Sequence, residues 1–125
     1  MESGKEPGGL GLLVSDDLIF STKITGTARA LGLDVQVVAL PDQAAGGIAV
    51  ERPRCVILDL GTAGLTVERI RAIVESAGDA PVLAYGSHVD TARLEEARTA
   101  GCSDVMPRSR MAAELPRLLQ RYLAG

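Results

Sequence analysis

The sequence predicts an α/β fold: one five-stranded parallel sheet in the order 2-1-3-4-5, with helices on both faces. Three observations point to it. Arg54-Cys55-Val56-Ile57-Leu58-Asp59-Leu60-Gly61 is a short apolar run that stops at an aspartate. Bounded by Pro53 and Gly61, it has the pattern of a strand buried on both faces, as in the centre of a parallel sheet. Similar runs alternate with stretches of helical period along the chain, which gives parallel strands joined by right-handed crossovers. Five such units suit an open sheet whose ligands lie at the carboxyl ends of the strands. Asp59 stands at that end of the central strand and is the first candidate for function. The competing reading is an ordinary turn or capping aspartate.

The elements follow in order. Met1 to Gly9 is expected to be a flexible tail ahead of a single domain over 10–125. Leu10 to Val14 forms the first strand and ends at Ser15-Asp16-Asp17. Phe20, Ile24, Ala28 and Leu31 then mark a helix, capped by Asp16 or Asp17 and stopped by Gly32. Asp34 to Leu40 is the second strand. Pro41-Asp42 opens a short helix to about Glu51, weakened by roughly 1 kcal/mol at each of Gly46 and Gly47. After the central strand and the loop Gly61-Thr62-Ala63-Gly64, the residues Val67, Ile70, Val74 and Ala77 mark a helix ended by Gly78. Pro81 to Tyr85 is the fourth strand and Gly86-Ser87-His88-Val89 a loop. Asp90 or Thr91 caps a helix carrying Leu94, Ala97 and Ala100. Ser103 to Met106 is the fifth strand. Met111, Leu115, Leu118, Leu119 and Tyr122 line the last helix. Its regular part is expected to begin near Ala112 to Glu114, because Pro116 is tolerated only in a first turn.

Composition narrows the function. Aromatic residues make up 2% of the chain, so the core is aliphatic and no stacking platform for single-stranded nucleic acid exists. Net charge is −3, which exerts no general pull toward nucleic acid or acidic lipid. The two cysteines, Cys55 and Cys102, fit reduced thiols of a cytoplasmic protein, Cys55 as a small core residue and Cys102 at a loop or strand edge. With one histidine they make no zinc site. That histidine, His88, reads as a surface loop residue, and Tyr85 as a packed ring. Gly8-Gly9-Leu10-Gly11 precedes the first strand and cannot be a dinucleotide loop, and no Gly-Lys-Ser/Thr phosphate motif occurs.

Three polar clusters fall on one edge of the sheet: Ser15-Asp16-Asp17 after strand 1, Asp59 after strand 3, and Pro107-Arg108 after strand 5. Strands 1 and 3 are neighbours in this order, so Asp16 and Asp59 are expected close together, balanced by a divalent ion or by a basic side chain. In this arrangement the chain resembles the receiver domain of response regulators in two-component signalling, a flavodoxin-like fold. The resemblance covers Leu10 to Leu123. It rests on the strand–helix rhythm, the acidic end of strand 1, Leu58-Asp59-Leu60, Pro81-Val82-Leu83, and Ala100-Gly101-Cys102-Ser103-Asp104-Val105.

The resemblance implies a phospho-acceptor at Asp59 and a magnesium site from Asp16, Asp59 and the carbonyl of Gly61. Gly86, with Ser87 beside it, takes the position of the family's phosphate-sensing Thr or Ser. Arg108 takes that of its Lys, and Val105 that of its switch aromatic. The departures cluster at the chemical positions. Ser15 stands where the family has a second metal-binding acid, with Asp17 one place later. Gly86 has no hydroxyl, and Arg108 carries a planar fork instead of a point charge. The resulting expectation is an atypical member, a pseudo-receiver, in which Arg108 bridges Asp59, with Asp16 as an optional second partner. No cofactor is expected, with Mg²⁺ the candidate if the site is active. The partner would be a protein, a histidine kinase or an output protein, or a second copy in a homodimer. The contact face would draw on Arg93, Glu96, Arg110, Met111, Arg117 and Arg121, with no membrane and no nucleic acid involved. Two alternatives stay open: a phosphorylatable regulator using Asp59 and Mg²⁺, and a small-molecule protein or enzyme on the same fold.

Overall fold

A computed structural model describes residues 10–124, and the tail expected over residues 1–9 lies outside them. Strand β1 (Leu10–Val14) leads to α1 (Leu18–Ala30) and β2 (Asp34–Val38). A 3-10 turn (Pro41–Gln43) runs into α2 (Ala44–Glu51), followed by β3 (Cys55–Asp59), α3 (Val67–Ala77), β4 (Val82–Gly86) and α4 (Thr91–Thr99). Then come β5 (Asp104–Pro107), α5 (Arg108–Ala113), α6 (Leu115–Leu119) and a closing π-turn (Gln120–Ala124). All strand pairs are parallel, and the order is β2-β1-β3-β4-β5, as the sequence predicts.

Strand periodicity sorts the core into two halves. Val56, Leu58 and Leu60 face α2, α3 and α4, where they meet Ile48, Ile70, Ile73 and Leu94. Cys55 and Ile57 face α1, α5 and α6, meeting Ile24, Met111, Leu115 and Leu119. Every residue of β3 and β4 is buried, so their continuous apolar runs reflect burial on both faces. By the same alternation Asp59 falls on the α1 side with Tyr85, its register partner on β4. Leu60 falls on the α4 side. This split organises the candidate site.

Helix starts follow their capping residues. Asp17, not Asp16, caps α1 by accepting the Phe20 N–H at 3.0 Å. Thr66 caps α3 and Asp90 caps α4 in the same way. The third helix buries Ile70 and Ile73, where the sequence pattern pointed to Val74. Strand β2 stops at Val38, short of Leu40, and β5 begins one residue late, although Ser103 still pairs with Val82 through its N–H and hydroxyl. The last helix departs furthest. It starts at Arg108, directly after Pro107, and breaks at Glu114, where φ is −107° and ψ 13°. A continuous helix would drive the Pro116 ring into the preceding turn, so Pro116 instead sits in the first turn of a new helix. Among the described residues no helix is long and apolar enough to cross a membrane.

Candidate functional site

Asp59 is 1% exposed at the end of the central strand. A buried carboxylate needs donors, and it has them. The Ser15 hydroxyl donates to Oδ2 at 2.8 Å, and the Gly61 N–H donates to Oδ1 at 2.9 Å. Ser15 comes from the end of β1, whose Val14 pairs with Leu58, so strand register alone carries it to Asp59. Its oxygen also accepts the Asp17 N–H at 3.1 Å. Arg108, the first residue of α5, brings Nη2 to 3.9 Å from Asp59 Oδ1 and its Cζ to 5.7 Å from the Phe20 ring centroid. The Phe20 ring meets Tyr85 edge-on at 5.1 Å.

The Tyr85 hydroxyl is fully buried near Ser15 and has no well-formed hydrogen bond. Burial pushes its phenol pKa up, the Asp59 charge adds to this, and Ser15 and Arg108 oppose it. Thr62 Oγ1, in the loop after Asp59, is also buried without a partner. On the opposite face, Gly86 has no side chain, and its place is filled. A Cβ there would meet Leu60 Cβ at 3.3 Å, Leu60 Cδ1 at 3.4 Å and Leu94 Cδ2 at 3.5 Å. Ser87 is exposed, and its oxygens accept from Val89 and Asp90 N–H groups within the loop.

The expected arrangement is therefore met in part. Asp59, Gly61 and Arg108 come together, and Ser15 joins them. Asp16 does not. It is exposed, and its Oδ2 accepts the Ala63 N–H at 3.1 Å. The bridge from Arg108 to Asp16 is replaced by this backbone contact. Arg108 approaches Asp59 from a half-exposed position, at the outer limit of an ion pair. Asp17 is occupied as the α1 cap.

A divalent cation of the magnesium kind requires oxygens converging in octahedral geometry. The residues as arranged do not present a preformed site for one. One carboxylate has both oxygens engaged by protein donors, the second acid is turned to a backbone N–H, and a hydroxyl donor stands where a third acid would be. Among the described residues no group of three or more His, Cys, Asp and Glu could hold a metal ion.

The expected contact face also changes. Met111 is fully buried in the core. Arg93 turns inward to the loop after Asp59, where it bonds the carbonyls of Leu60 and Leu65. Arg110 and Arg117 pair with acids on their own surface, with Arg117 Nη2 at 2.7 Å from Glu114 Oε1 and Arg110 at 3.8 Å from Asp104. Sequence pattern held no signal for the inward turn of Arg93 or for the plug of Leu60 and Leu94, since both arise from packing between distant segments. A cavity of about 510 Å³ lies between the ends of α2 and α3, lined by Arg52, Pro53, Ser76 and Asp79. A groove of about 350 Å³ lies between α3 and α4. Both are away from the carboxyl ends of the strands.

No family model and no curated protein matches the chain. Solved structures do. The receiver domain of the sensor histidine kinase PA1611 from Pseudomonas aeruginosa superposes with a TM-score of 0.79 and is 28% identical. The match covers 94% of this chain and 99% of that one, whose crystal structure has a magnesium ion coordinated in the active-site cleft. The beryllofluoride-activated receiver domain of RstA from Klebsiella pneumoniae gives 0.78 at 24% identity, covering 93% and 99% of the two chains. The receiver domain of NtrX from Brucella abortus gives 0.78 at 22%, covering 91% and 98%. The last two are likenesses of fold. With a PA1611 match of that extent added to them, the chain has the fold of response-regulator receiver domains and is similar to them over nearly its whole length.

Proposed function

We propose that this domain is a pseudo-receiver of two-component signalling. It acts by contact with a protein partner and is not switched by phosphorylation of Asp59. The observation that carries this reading is the hydrogen bond from Ser15 Oγ to Asp59 Oδ2. Phosphoryl transfer to a carboxylate leaves little covalent chemistry for a protein to do, and the rate comes from positioning and charge neutralisation. Here the attacking oxygens are already engaged by neutral donors, the second acid points elsewhere, and the sensing position is a glycine filled by Leu60 and Leu94. Arg108 adds a fixed positive charge beside Asp59. The domain thus resembles a receiver held in one state.

The contacting surface is the side formed by α4, β5, α5 and α6, exposing Glu95, Glu96, Arg98, Arg110 and Arg117. Alternating charges of this kind give register and partner choice more than raw affinity. The partner is a histidine kinase, an output protein or a second copy, met in the cytoplasm.

A second reading has its own support. The PA1611 domain, 28% identical, coordinates magnesium, and this chain carries acids of its own at the corresponding edge of the sheet, Asp59 at the end of β3 and Asp16 just after β1. Titration with Mg²⁺, with and without acetyl phosphate, followed by intact mass, separates the two. The pseudo-receiver gains no mass. A magnesium-dependent gain of one phosphoryl group, located at Asp59 by peptide mass, would establish a switchable regulator instead.

A further inference from the structure

We propose that Arg93 is a clasp that fixes α4 to the loop after Asp59, so that the surface carried by α4 is presented in one arrangement whatever occupies Asp59. The inference deepens the pseudo-receiver reading and rests on it for the statement that Asp59 does not drive α4.

Arg93 stands in the first turn of α4, where a surface arginine would ordinarily extend into solvent. Its side chain is only 21% exposed. The guanidinium donates through Nε to the Leu60 carbonyl at 3.1 Å and through Nη2 to the Leu65 carbonyl. Nη1 donates to Glu96 Oε1 at 3.3 Å, which holds the group from behind. The two carbonyls are the first and last of the loop between β3 and the cap of α3. A planar fork with fixed donor directions can span both, which an ammonium cannot do in the same way. The backbone N–H of Arg93 is held as well, by Asp90 Oδ1 at 3.1 Å.

An apolar plug lies beside this strap. Leu94, the next residue, is 6% exposed and Leu60 5%. Together they fill the space that a side chain at position 86 would need. The same loop is tied on its other side by the Gly61 N–H to Asp59 and the Ala63 N–H to Asp16. Moving α4 off the sheet therefore breaks two charge-assisted hydrogen bonds and uncovers Leu94, while nothing at position 86 links that motion to Asp59. Arg93 is a positioning residue and touches no reacting group.

Hydrogen exchange read by mass spectrometry on the full chain tests this, with Arg93→Ala and the milder Arg93→Lys, which keeps the charge and most of the stem. Peptides covering 91–99 and 60–66 should exchange about tenfold faster or more in both variants, the loss of hydrogen bonds from a charged donor. Peptides covering 10–30 should keep wild-type rates. Unchanged exchange over 91–99 in the Lys variant overturns the clasp, as does equal acceleration over 10–30, which would make Arg93 a general stability residue. Wild-type protein with Mg²⁺ and acetyl phosphate should show unaltered rates over 91–99, and an altered rate overturns the independence of α4. Intact mass from the same samples keeps the two readings apart. A phosphoryl gain with unaltered exchange removes the pseudo-receiver and leaves the clasp. No gain, with Arg93 variants that exchange like wild type, removes the clasp and leaves the pseudo-receiver.

Discussion

Asp59 and Gly86 lie on neighbouring strands, one residue apart in register, and therefore face opposite sides of the sheet. That single alternation decides what each can do. Asp59 turns toward Ser15 and Tyr85, and position 86 turns toward Leu60 and Leu94. Asp59 was legible in the sequence because an apolar run ends on it. The missing hydroxyl at Gly86 was legible too, but not its consequence, which depends on Leu60 leaning across from β3. Gly86→Thr should therefore fail to restore a sensing hydroxyl. Its Cβ would meet Leu60 Cβ at 3.3 Å before any further atom is added. Overpacking of this kind costs about 2 kcal/mol, and the new hydroxyl adds an unpaired polar group. Urea unfolding should show that loss. In a double-mutant cycle with Leu60→Ala, the combined loss should be smaller than the sum of the single losses. A Gly86→Thr protein as stable as wild type would show that Leu60 gives way freely.

At the scale of elements, one polar triplet supplies both a turn and a cap. Ser15-Asp16-Asp17 was readable as a polar cluster, but its division of labour was not. Asp17 goes to α1, Ser15 to Asp59 and Asp16 to the Ala63 N–H. Sequence pattern distinguishes residue types and leaves open which of three adjacent polar groups meets which orphan donor. The helical periods located α1, α3 and α4 because each has one buried stripe. The period failed after β5, where Pro116 divides a single apolar stripe between two short helices. The assignment of Asp17 is testable. Asp17→Ala removes the acceptor for the Phe20 N–H and should cost about 1 kcal/mol of stability. Added Mg²⁺ should leave that difference unchanged, because the residue is engaged as a cap. A stability gap that appears only with Mg²⁺ present would return Asp17 to the metal site.

The whole molecule takes three weakly acidic groups wholly or partly out of water, Cys55 and Tyr85 buried and Cys102 half-buried, and this sets its response to alkaline pH. Burial pushes the Cys55 thiol from 9.0 up to about 12 and the Cys102 thiol from 9.0 up to about 11. It also raises the Tyr85 phenol, with the Asp59 charge acting in the same direction. In each case the folded chain keeps a proton that the unfolded chain has already released. The stability these groups contribute is thus fully present below the unfolded values of 9.0 and 10.0 and is lost as pH rises through the folded ones. The aliphatic core offers no compensation, since it has no titratable group whose charging would favour the folded state in that window. The urea midpoint should accordingly hold level near neutrality and fall as pH passes 9.0 toward about 11. The double variant Cys55→Ala/Cys102→Ala should start from a lower midpoint, because Cys55 fills core volume, yet decline with a shallower slope and keep only the part due to Tyr85. A wild-type midpoint that stayed level through that window would mean that the thiols reach solvent in the folded state, against the buried position of Cys55 in β3 and the half-buried one of Cys102 before β5.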